Sequence, residues 1–190
     1  MKSPIKKSII SDKRLFSLEQ LNEKTRLVSF FCEIEEYNKY LFNEAVRAQN
    51  DQMALTWLLR ERVSGSIAAY MSLIADAIKL SASEKELHKL EYPFKTVPSM
   101  KIAKLSVSAS FQKKYRGIGS LMVDMAIQIA EACNDNYFAC RFITVDADIE
   151  HNEGVMNFYL KNGFIPNEET NNKRRKTISM RRDILFRAKQ

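Results

Sequence analysis

The stretch that decides the fold is FQKKYRGIGS, residues 111–120, in which basic side chains precede two glycines. The basic residues are Lys113, Lys114 and Arg116, and the glycines are Gly117 and Gly119. The whole chain contains only five glycines, so this close spacing marks a local requirement of the backbone. A glycine pair beside basic residues is typical either of a plain turn or of a loop that receives an anionic group.

The segments on either side predict a strand before this stretch and a helix after it. Residues 101–109 alternate between apolar and polar side chains, as in a half-buried strand. After it, apolar residues recur on one helix face: Ile118, Leu121, Met122, Met125, Ala126 and Ile129. A helix start leaves about four backbone N–H groups without partners and carries the positive end of the helix dipole. Strand, glycine loop and helix together therefore predict a phosphate-binding site.

The rest of the chain predicts further strands and helices around this unit. Residues 35–50 have helical spacing, and the apolar runs 53–59 and 67–74 flank Gly65-Ser66 as in an antiparallel hairpin. Further expected elements are a short helix and loop within 81–98, a strand over 138–145, a helix over 153–162 capped by Asn152 and ended by Asn162-Gly163, and a last strand over 177–180. This order predicts a mixed α+β (α/β) fold in a single domain over residues 1–190.

Composition narrows the class of protein. The 190 residues are 45% hydrophobic and 28% charged, as in ordinary globular proteins. No apolar run approaches the roughly 20 residues of a membrane span, and the start has no signal-peptide pattern, so we expect a cytoplasmic protein without a membrane partner. Cys32, Cys133 and Cys140 form no CxxC pair, which fits a reducing compartment. His88 and His151 have no second ligand at metal-binding spacing, so no metal is expected.

The net charge of +7 needs an explanation. Basic residues are concentrated near the C-terminus: Lys173, Arg174, Arg175, Lys176, Arg181, Arg182, Arg187 and Lys189, with Asp183 as the acid among them. Such a run is typical of a solvated face. It is also compatible with an anionic partner, either a nucleic acid or a phosphate-bearing cofactor.

The pattern matches neither the P-loop nor the dinucleotide fingerprint. Instead, the strand at residues 105–107, the loop ending in RGIGS, the long helix, the strand FITV at 142–145 and HNEGVMNFYLKNGF at 151–164 resemble the GNAT acetyltransferase superfamily. The resemblance is close over residues 100–166 and looser over 35–80. It implies a mostly antiparallel central sheet flanked by helices, with a splayed parallel pair of strands, 101–109 against 139–146. It also implies acetyl-CoA as co-substrate and acetyl transfer to a primary amine by direct attack.

The same resemblance assigns site residues. The backbone at Leu105, Ser106 and Val107 would hold the acetyl and pantetheine groups, with an N–H near Val107 stabilising the oxyanion. The diphosphate would be bound by the backbone N–H groups of Lys114, Tyr115, Arg116, Gly117, Ile118, Gly119 and Ser120. Asn152 and Phe158 match positions that line the cofactor's tail.

Tyr159 matches the tyrosine that in many family members protonates the departing CoA thiolate. A phenol suits this role, because an unperturbed pKa near ~10 keeps it protonated at neutral pH. Helical spacing with Val155 and Phe158 also allows Tyr159 to be a packing residue alone.

Several positions depart from the family pattern or have plainer explanations. Lys114 stands where glutamine or arginine is common, and Tyr115 where a further glycine is frequent. Ser108 replaces a frequent acid, so this strand offers no carboxylate as general base. Asp146 and Asp148 are acids of the kind that commonly form a turn after a strand. His151 is most simply an exposed residue before a helix. Trp57, Phe30 and Phe31 are most simply core residues.

The acceptor is less defined than the donor. Residues 35–59, 65–78 and 142–164 are similar to the GNAT branch that contains toxin–antitoxin toxins, which acetylate aminoacyl-tRNA. That similarity implies a tRNA acceptor, a homodimer and an antitoxin partner. An ordinary small-amine acetyltransferase is the alternative. A non-catalytic GNAT-like binding module is the third hypothesis, against which the glycine loop and Tyr159 argue.

Overall fold

The computed structural model describes residues 7–8, 15–27, 29–152, 154–168 and 176–185. The elements in chain order are β1 (Lys7–Ser8), β2 (Phe16–Gln20), α1 (Glu35–Lys39), a π-helical segment (Tyr40–Glu44), α2 (Ala45–Asn50), β3 (Leu55–Glu61), β4 (Ile67–Ile78), α3 (Ala82–Leu87), β5 (Val97–Val107), α4 (Ala109–Lys114), β6 (Tyr115–Arg116), α5 (Ile118–Asn136), β7 (Phe142–Asp148), α6 (Val155–Lys161), β8 (Ile165–Pro166) and β9 (Thr177–Asp183).

A seven-stranded sheet has the strand order β2-β3-β4-β5-β7-β9-β8, and β1 and β6 form a separate parallel pair. Strand β3 is antiparallel to β2 and β4, and β9 is antiparallel to β7 and β8. Within the large sheet, β5 and β7 are parallel, with a register that runs from Ser99↔Phe142 to Ile102↔Val145. Both strands continue beyond this ladder, β5 to Val107 and β7 to Asp148. The predicted mostly antiparallel sheet with one parallel pair is confirmed.

The hairpin of β3 and β4 and the long helix α5 are also confirmed, whereas some predicted boundaries are wrong. Strand β5 begins at Val97 rather than at residue 101, since the Arg141 N–H already binds the Pro98 carbonyl at 2.9 Å. Strand β7 begins at Phe142 rather than at residue 138. The Asn134 side chain binds the backbone N–H and C=O of Cys140, at 2.6 and 2.8 Å, and thereby holds the preceding residues in a turn.

Two compact units divide the described residues, one drawn from 1–73 and 104–124 and the other from 74–103 and 125–190. In the first, the core packs α1, the π-helical segment and α2 against the sheet through residues such as Leu41, Leu58 and Tyr70. Phe30 lies in this core with its ring edge-on to Tyr70, at 5.3 Å between centroids. The expectation that Phe31 is also a core residue is wrong, because its side chain is 63% exposed.

The second unit contains a buried charge network that the sequence did not reveal. Asp183 accepts hydrogen bonds from Arg141, at 2.9 and 2.7 Å, and contacts His88 Nδ1 at 2.8 Å. Arg181, which is buried, pairs with the buried carboxylate of Glu84. These residues come from α3, β9 and the segments beside α3 and β7, so no local sequence pattern connects them.

The network requires a neutral His88 ring. Arg181 Nε donates to His88 Nε2 at 3.2 Å, so this nitrogen is the acceptor and Nδ1 carries the proton toward Asp183. Burial lowers the pKa of His88, and the charges of Arg181 and Arg141 act in the same direction, against the opposing effect of Asp183. The unfolded chain therefore binds this proton more readily than the folded protein does, and acid favours unfolding.

We expect the free energy of unfolding to fall as the pH is lowered from 7 to 5.5, because the unfolded chain binds a proton at His88 more readily than the folded protein does. The measurement is urea denaturation at both pH values for the wild type, for His88→Gln and for His151→Gln, which changes the exposed histidine. His88→Gln should remove much of the pH dependence and His151→Gln should preserve it. An equal pH dependence in all three proteins would contradict this assignment.

Candidate functional site

The stretch 111–120 is more ordered than the predicted loop. It contains the end of α4, the two-residue strand β6, Gly117 and the start of α5. Strand β6 pairs in parallel with β1, with the register Lys7↔Tyr115 and Ser8↔Arg116. The expectation of an irregular loop between strand and helix is therefore wrong for residues 111–116, although the helix does start directly after Gly117.

Burial of two aromatic rings explains this order. Phe111 and Tyr115 are both buried, and their rings are stacked with centroids 6.1 Å apart. Phe16 of β2 contacts both rings edge-on, at 6.2 Å from Phe111 and 5.5 Å from Tyr115. Tyr115 therefore anchors the chain just before the glycines, at the position where relatives of the predicted family often have glycine.

The two glycines serve different purposes. Gly117 has φ +87°, a left-handed conformation that side-chain-bearing residues rarely adopt. Gly119 lies inside the first turn of α5. The first-turn N–H groups of a helix have no intrahelical acceptors, so those of Ile118, Gly119 and Ser120 are the donors that this segment can present. The Tyr115 N–H, by contrast, already donates to the Phe111 carbonyl.

Lys114 does not extend freely from this segment. Its ammonium lies 2.7 Å from Glu61 Oε1, at the end of β3, and 4.8 Å from the centroid of the Tyr115 ring. The hydrogen bond from Lys114 holds the pKa of Glu61 below its ordinary value, and the same bond raises the pKa of Lys114. Sequence reasoning missed Glu61, because nothing in the hairpin pattern of β3 connects it with residue 114.

Lys113 and Arg116 are exposed, as is Lys114, but they differ from Lys114 in their partners. Neither forms an ion pair with any residue that the structure describes. Together with the helix start they provide positive charge and N–H donors within a few residues, which is the donor set that binds a phosphate.

The carboxyl end of β5 lies before this segment in the chain. Leu105, Ser106 and Val107 are half-buried, and the Val107 carbonyl accepts the side-chain amide of Gln112 at 3.2 Å. Ser108 is buried, with its N–H on the Ala68 carbonyl at 2.8 Å and its hydroxyl 3.0 Å from that of Ser110. Ser108 therefore follows the last residue of β5, and it supplies a hydroxyl rather than a carboxylate at this position.

The second unit holds the other predicted site residues. Tyr159 lies on α6 and is 7% exposed, and its ring makes edge contacts with Phe158 at 5.0 Å and Phe164 at 5.2 Å. Helix α6 ends as predicted at Asn162 and Gly163, whose φ is +78°. The ring of Tyr159 is therefore packed between two aromatic neighbours and largely buried.

Asn152 does not cap α6, which corrects the predicted start of this helix. The helix begins at Val155 with Gly154 at the N-cap and no side-chain cap. The Asn152 side chain instead accepts the Gly154 N–H at 2.9 Å within the preceding turn. Asn152 is exposed.

The remaining acidic candidates, Asp146 and Asp148, lie in β7 rather than in the expected turn, and both have side-chain partners. Asp146 binds the Lys101 ammonium at 2.5 Å, and Asp148 contacts the ring of the exposed His151 at 2.8 Å. In the part of the chain that the structure describes, His, Cys, Asp and Glu side chains nowhere gather in a set of three or more that could hold a metal ion. The helices of that same part include none that is long and apolar enough to cross a membrane.

Gly117→Ala should destabilise the protein by about 1 kcal/mol, because a left-handed backbone disfavours a Cβ. No atom lies within 4 Å of the Cβ that alanine would add, so conformational strain alone is tested. Gly119→Ala is the matched control, and it should be neutral or stabilising by about 0.5–1 kcal/mol inside a helix. Urea denaturation of both variants measures the difference, and equal stabilities would contradict these two roles.

Comparison with known proteins supports the fold at this point. No protein-family model matches the sequence, and no curated protein matches it significantly. Among solved structures, AtaT complexed with acetyl-methionyl-tRNAfMet is similar with a TM-score of 0.70 and 21% identity, over 86% of this chain and 93% of that one.

Two further solved structures agree. A tyrosine-to-phenylalanine mutant of KacT has a TM-score of 0.71 at 18% identity, over 87% of this chain and 94% of that one. AtaTR bound with AcCoA has a TM-score of 0.67 at 21% identity, over 87% of this chain and 93% of that one. The chain therefore has the fold of these proteins, and the predicted GNAT-like architecture is confirmed.

Proposed function

We propose that the protein is an N-acetyltransferase that moves an acetyl group from acetyl-CoA to an amine. The observation that carries the proposal is the start of α5. There, a left-handed Gly117, the first-turn N–H groups and two exposed cations, Lys113 and Arg116, lie within a few residues after β5. The likeness to AtaTR bound with AcCoA supports the same ligand.

The described residues fit acetyl-CoA. The donors of Ile118, Gly119 and Ser120 suit a diphosphate, which is the most highly charged part of the molecule's central linker. The half-buried backbone at Leu105–Val107 suits the less polar acetyl and pantetheine groups. Acetyl-CoA would supply the acetyl group as an activated thioester. Asn152 and Phe158 stay in this proposal as residues beside the cofactor's tail.

Tyr159 is the proposed general acid. Its hydroxyl would donate a proton to the departing CoA sulfur, as a neutral phenol does at physiological pH. The contacts with Phe158 and Phe164 hold the ring in one orientation, so the donor would need little reorganisation. Backbone N–H near Val107 would stabilise the oxyanion. No carboxylate is assigned as base, and a water molecule or a backbone carbonyl would accept the amine's proton.

Tyr159→Phe should lower kcat by at least about 100-fold, the usual effect of losing a general acid, with the Kd for acetyl-CoA changed by less than about twofold. The ring contacts survive this substitution, so folding should be preserved. Tyr137→Phe is the control, because the Tyr137 side chain is 83% exposed and should not affect turnover. CoA release and calorimetric titration provide the two readouts. Unchanged turnover in Tyr159→Phe would rule out the assignment.

We propose further that the accepted amine is the amino group of an aminoacyl-tRNA. The structural likeness to AtaT complexed with acetyl-methionyl-tRNAfMet favours this acceptor over a small free amine. The net charge of +7 acts in the same direction, because basic residues attract a phosphate backbone. An antitoxin belongs to this proposal, since a structural neighbour is bound to the C-terminus of the antitoxin AtaR. A homodimer and a cytoplasmic location stay predictions.

Incubation of the protein with radiolabelled acetyl-CoA and charged tRNA tests the acceptor. We expect label on aminoacyl-tRNA, with deacylated tRNA and the free amino acid as unreactive controls. At tRNA concentrations below saturation, raising salt from about 50 to 200 mM should lower the rate at least tenfold, because higher salt reduces the free energy gained from counterion release at the phosphates. Efficient, salt-insensitive acetylation of small amines alone would instead indicate the ordinary acetyltransferase. No acetylation of any amine despite acetyl-CoA binding would favour the non-catalytic module.

A further inference from the structure

Glu61 brings together three donors at the end of β3. Its Oε1 accepts the Lys114 ammonium at 2.7 Å and the Tyr115 hydroxyl at 3.1 Å, and its Oε2 accepts the Ser64 hydroxyl at 2.7 Å. The residue is 9% exposed. A nearly buried carboxylate with this many hydrogen bonds is fixed in position, and so is the buried Tyr115 that donates to it.

Two of these donors are adjacent residues of the proposed diphosphate-binding segment. Tyr115 is 6% exposed, and its ring packs on Phe16 and Phe111 while its hydroxyl binds Glu61. The Tyr115 side chain is therefore held at its ring by packing and at its hydroxyl by a hydrogen bond. Only Arg116 separates this anchored residue from the left-handed Gly117, after which the donors of α5 begin.

The same contacts divide the basic residues into two groups. The charge of Lys114 is offset by Glu61 at 2.7 Å, and its ammonium lies beside the rings of Tyr115 and Phe111, at 4.8 and 5.9 Å from the centroids. All three side chains are exposed, but the described residues offer Lys113 and Arg116 no carboxylate partner. Arg116 is the cation directly before Gly117 in the chain, whereas Lys114 pairs with Glu61 at the end of β3.

We propose that Glu61 is a positioning residue for CoA binding. Through Tyr115 and Lys114 it fixes the backbone that leads into Gly117, and so places the N–H donors of α5 for the diphosphate. Lys114 belongs to this anchor, and Arg116 supplies charge to the phosphate. This inference rests on the proposed function, and it explains why the chain has Lys114 and Tyr115 where the family pattern has other residues.

Calorimetric titration with CoA, together with ligand-observed NMR of pantetheine, which lacks the diphosphate, tests the proposal. Glu61→Leu should raise the Kd for CoA about tenfold, the size expected for losing one well-placed charged or hydrogen-bonded contact, with an unchanged affinity for pantetheine. Glu61→Gln keeps an acceptor for the Tyr115 hydroxyl and should recover most of the CoA affinity. Glu19→Gln is the control. It removes the carboxylate of β2 that pairs with Arg60, the residue before Glu61 in β3, and it should leave the Kd for CoA unchanged.

The basic residues provide the second comparison. Lys114→Met should raise the Kd for CoA only about threefold, because the Tyr115 hydroxyl still binds Glu61, whereas Arg116→Met should raise it about tenfold through loss of a phosphate contact. A loss in Lys114→Met as large as that in Arg116→Met would overturn the inference, because Lys114 would then be a phosphate ligand.

Other outcomes separate the inference from the proposed function. CoA affinity equal to that of the wild type in Glu61→Leu would overturn the inference alone. A parallel loss of CoA and pantetheine binding in Glu61→Leu would also overturn it, because general damage to the fold affects both ligands. Failure of the wild-type protein to bind CoA at all would overturn the proposed function.

Discussion

The parallel ladder between β5 and β7, from Ser99↔Phe142 to Ile102↔Val145, is the constraint on which the rest of the molecule depends. Parallel neighbours cannot be joined by a tight turn and need a crossover of a dozen or more residues. This chain fills the crossover with α4, β6 and α5. In the chain, a long helix therefore starts soon after the carboxyl end of β5. The first-turn N–H groups of this helix have no intrahelical acceptors. The proposed chemistry follows from that connection.

The parts of the fold that the sequence predicted well are those set by local patterns. Helix α5 has the 3.6-residue period over its whole length, and the β3–β4 hairpin has two apolar runs around a glycine turn. The Asn162-Gly163 end of α6 is likewise a local signal, because a left-handed glycine stops a helix. Each of these elements needs only its own residues to be recognised.

The parts that the sequence did not predict depend on distant partners. Helix α4 and strand β6 form where a plain loop was expected, because Phe111 and Tyr115 are buried against Phe16. The network around Asp183 and His88 joins residues about a hundred positions apart. In the site, the family motif indicated Tyr159 and the glycines, whereas Glu61 became visible only through its contacts with Lys114 and Tyr115.

The charge balance is also altered by the fold. A count of basic residues suggests a uniformly cationic protein, yet many cations have acidic partners, as in Lys101–Asp146, Lys104–Glu36 and Lys176–Glu150. Arg181 is buried with Glu84 and contributes no surface charge of its own. The basic residues 173–175, 187 and 189 lie outside the described residues. Beside the glycines, the positive charge without an acidic partner among the described residues is that of Lys113 and Arg116. Two cations are comparable with the two negative charges of a diphosphate.

Amide hydrogen exchange of the wild-type protein with and without CoA shows whether the start of α5 holds the diphosphate. If the diphosphate is held by the start of α5, CoA should slow exchange at residues 118–120 more than in the middle of the same helix, because these first-turn N–H groups gain an acceptor. Unchanged exchange at these residues, in a protein shown to be saturated with CoA, would contradict the account.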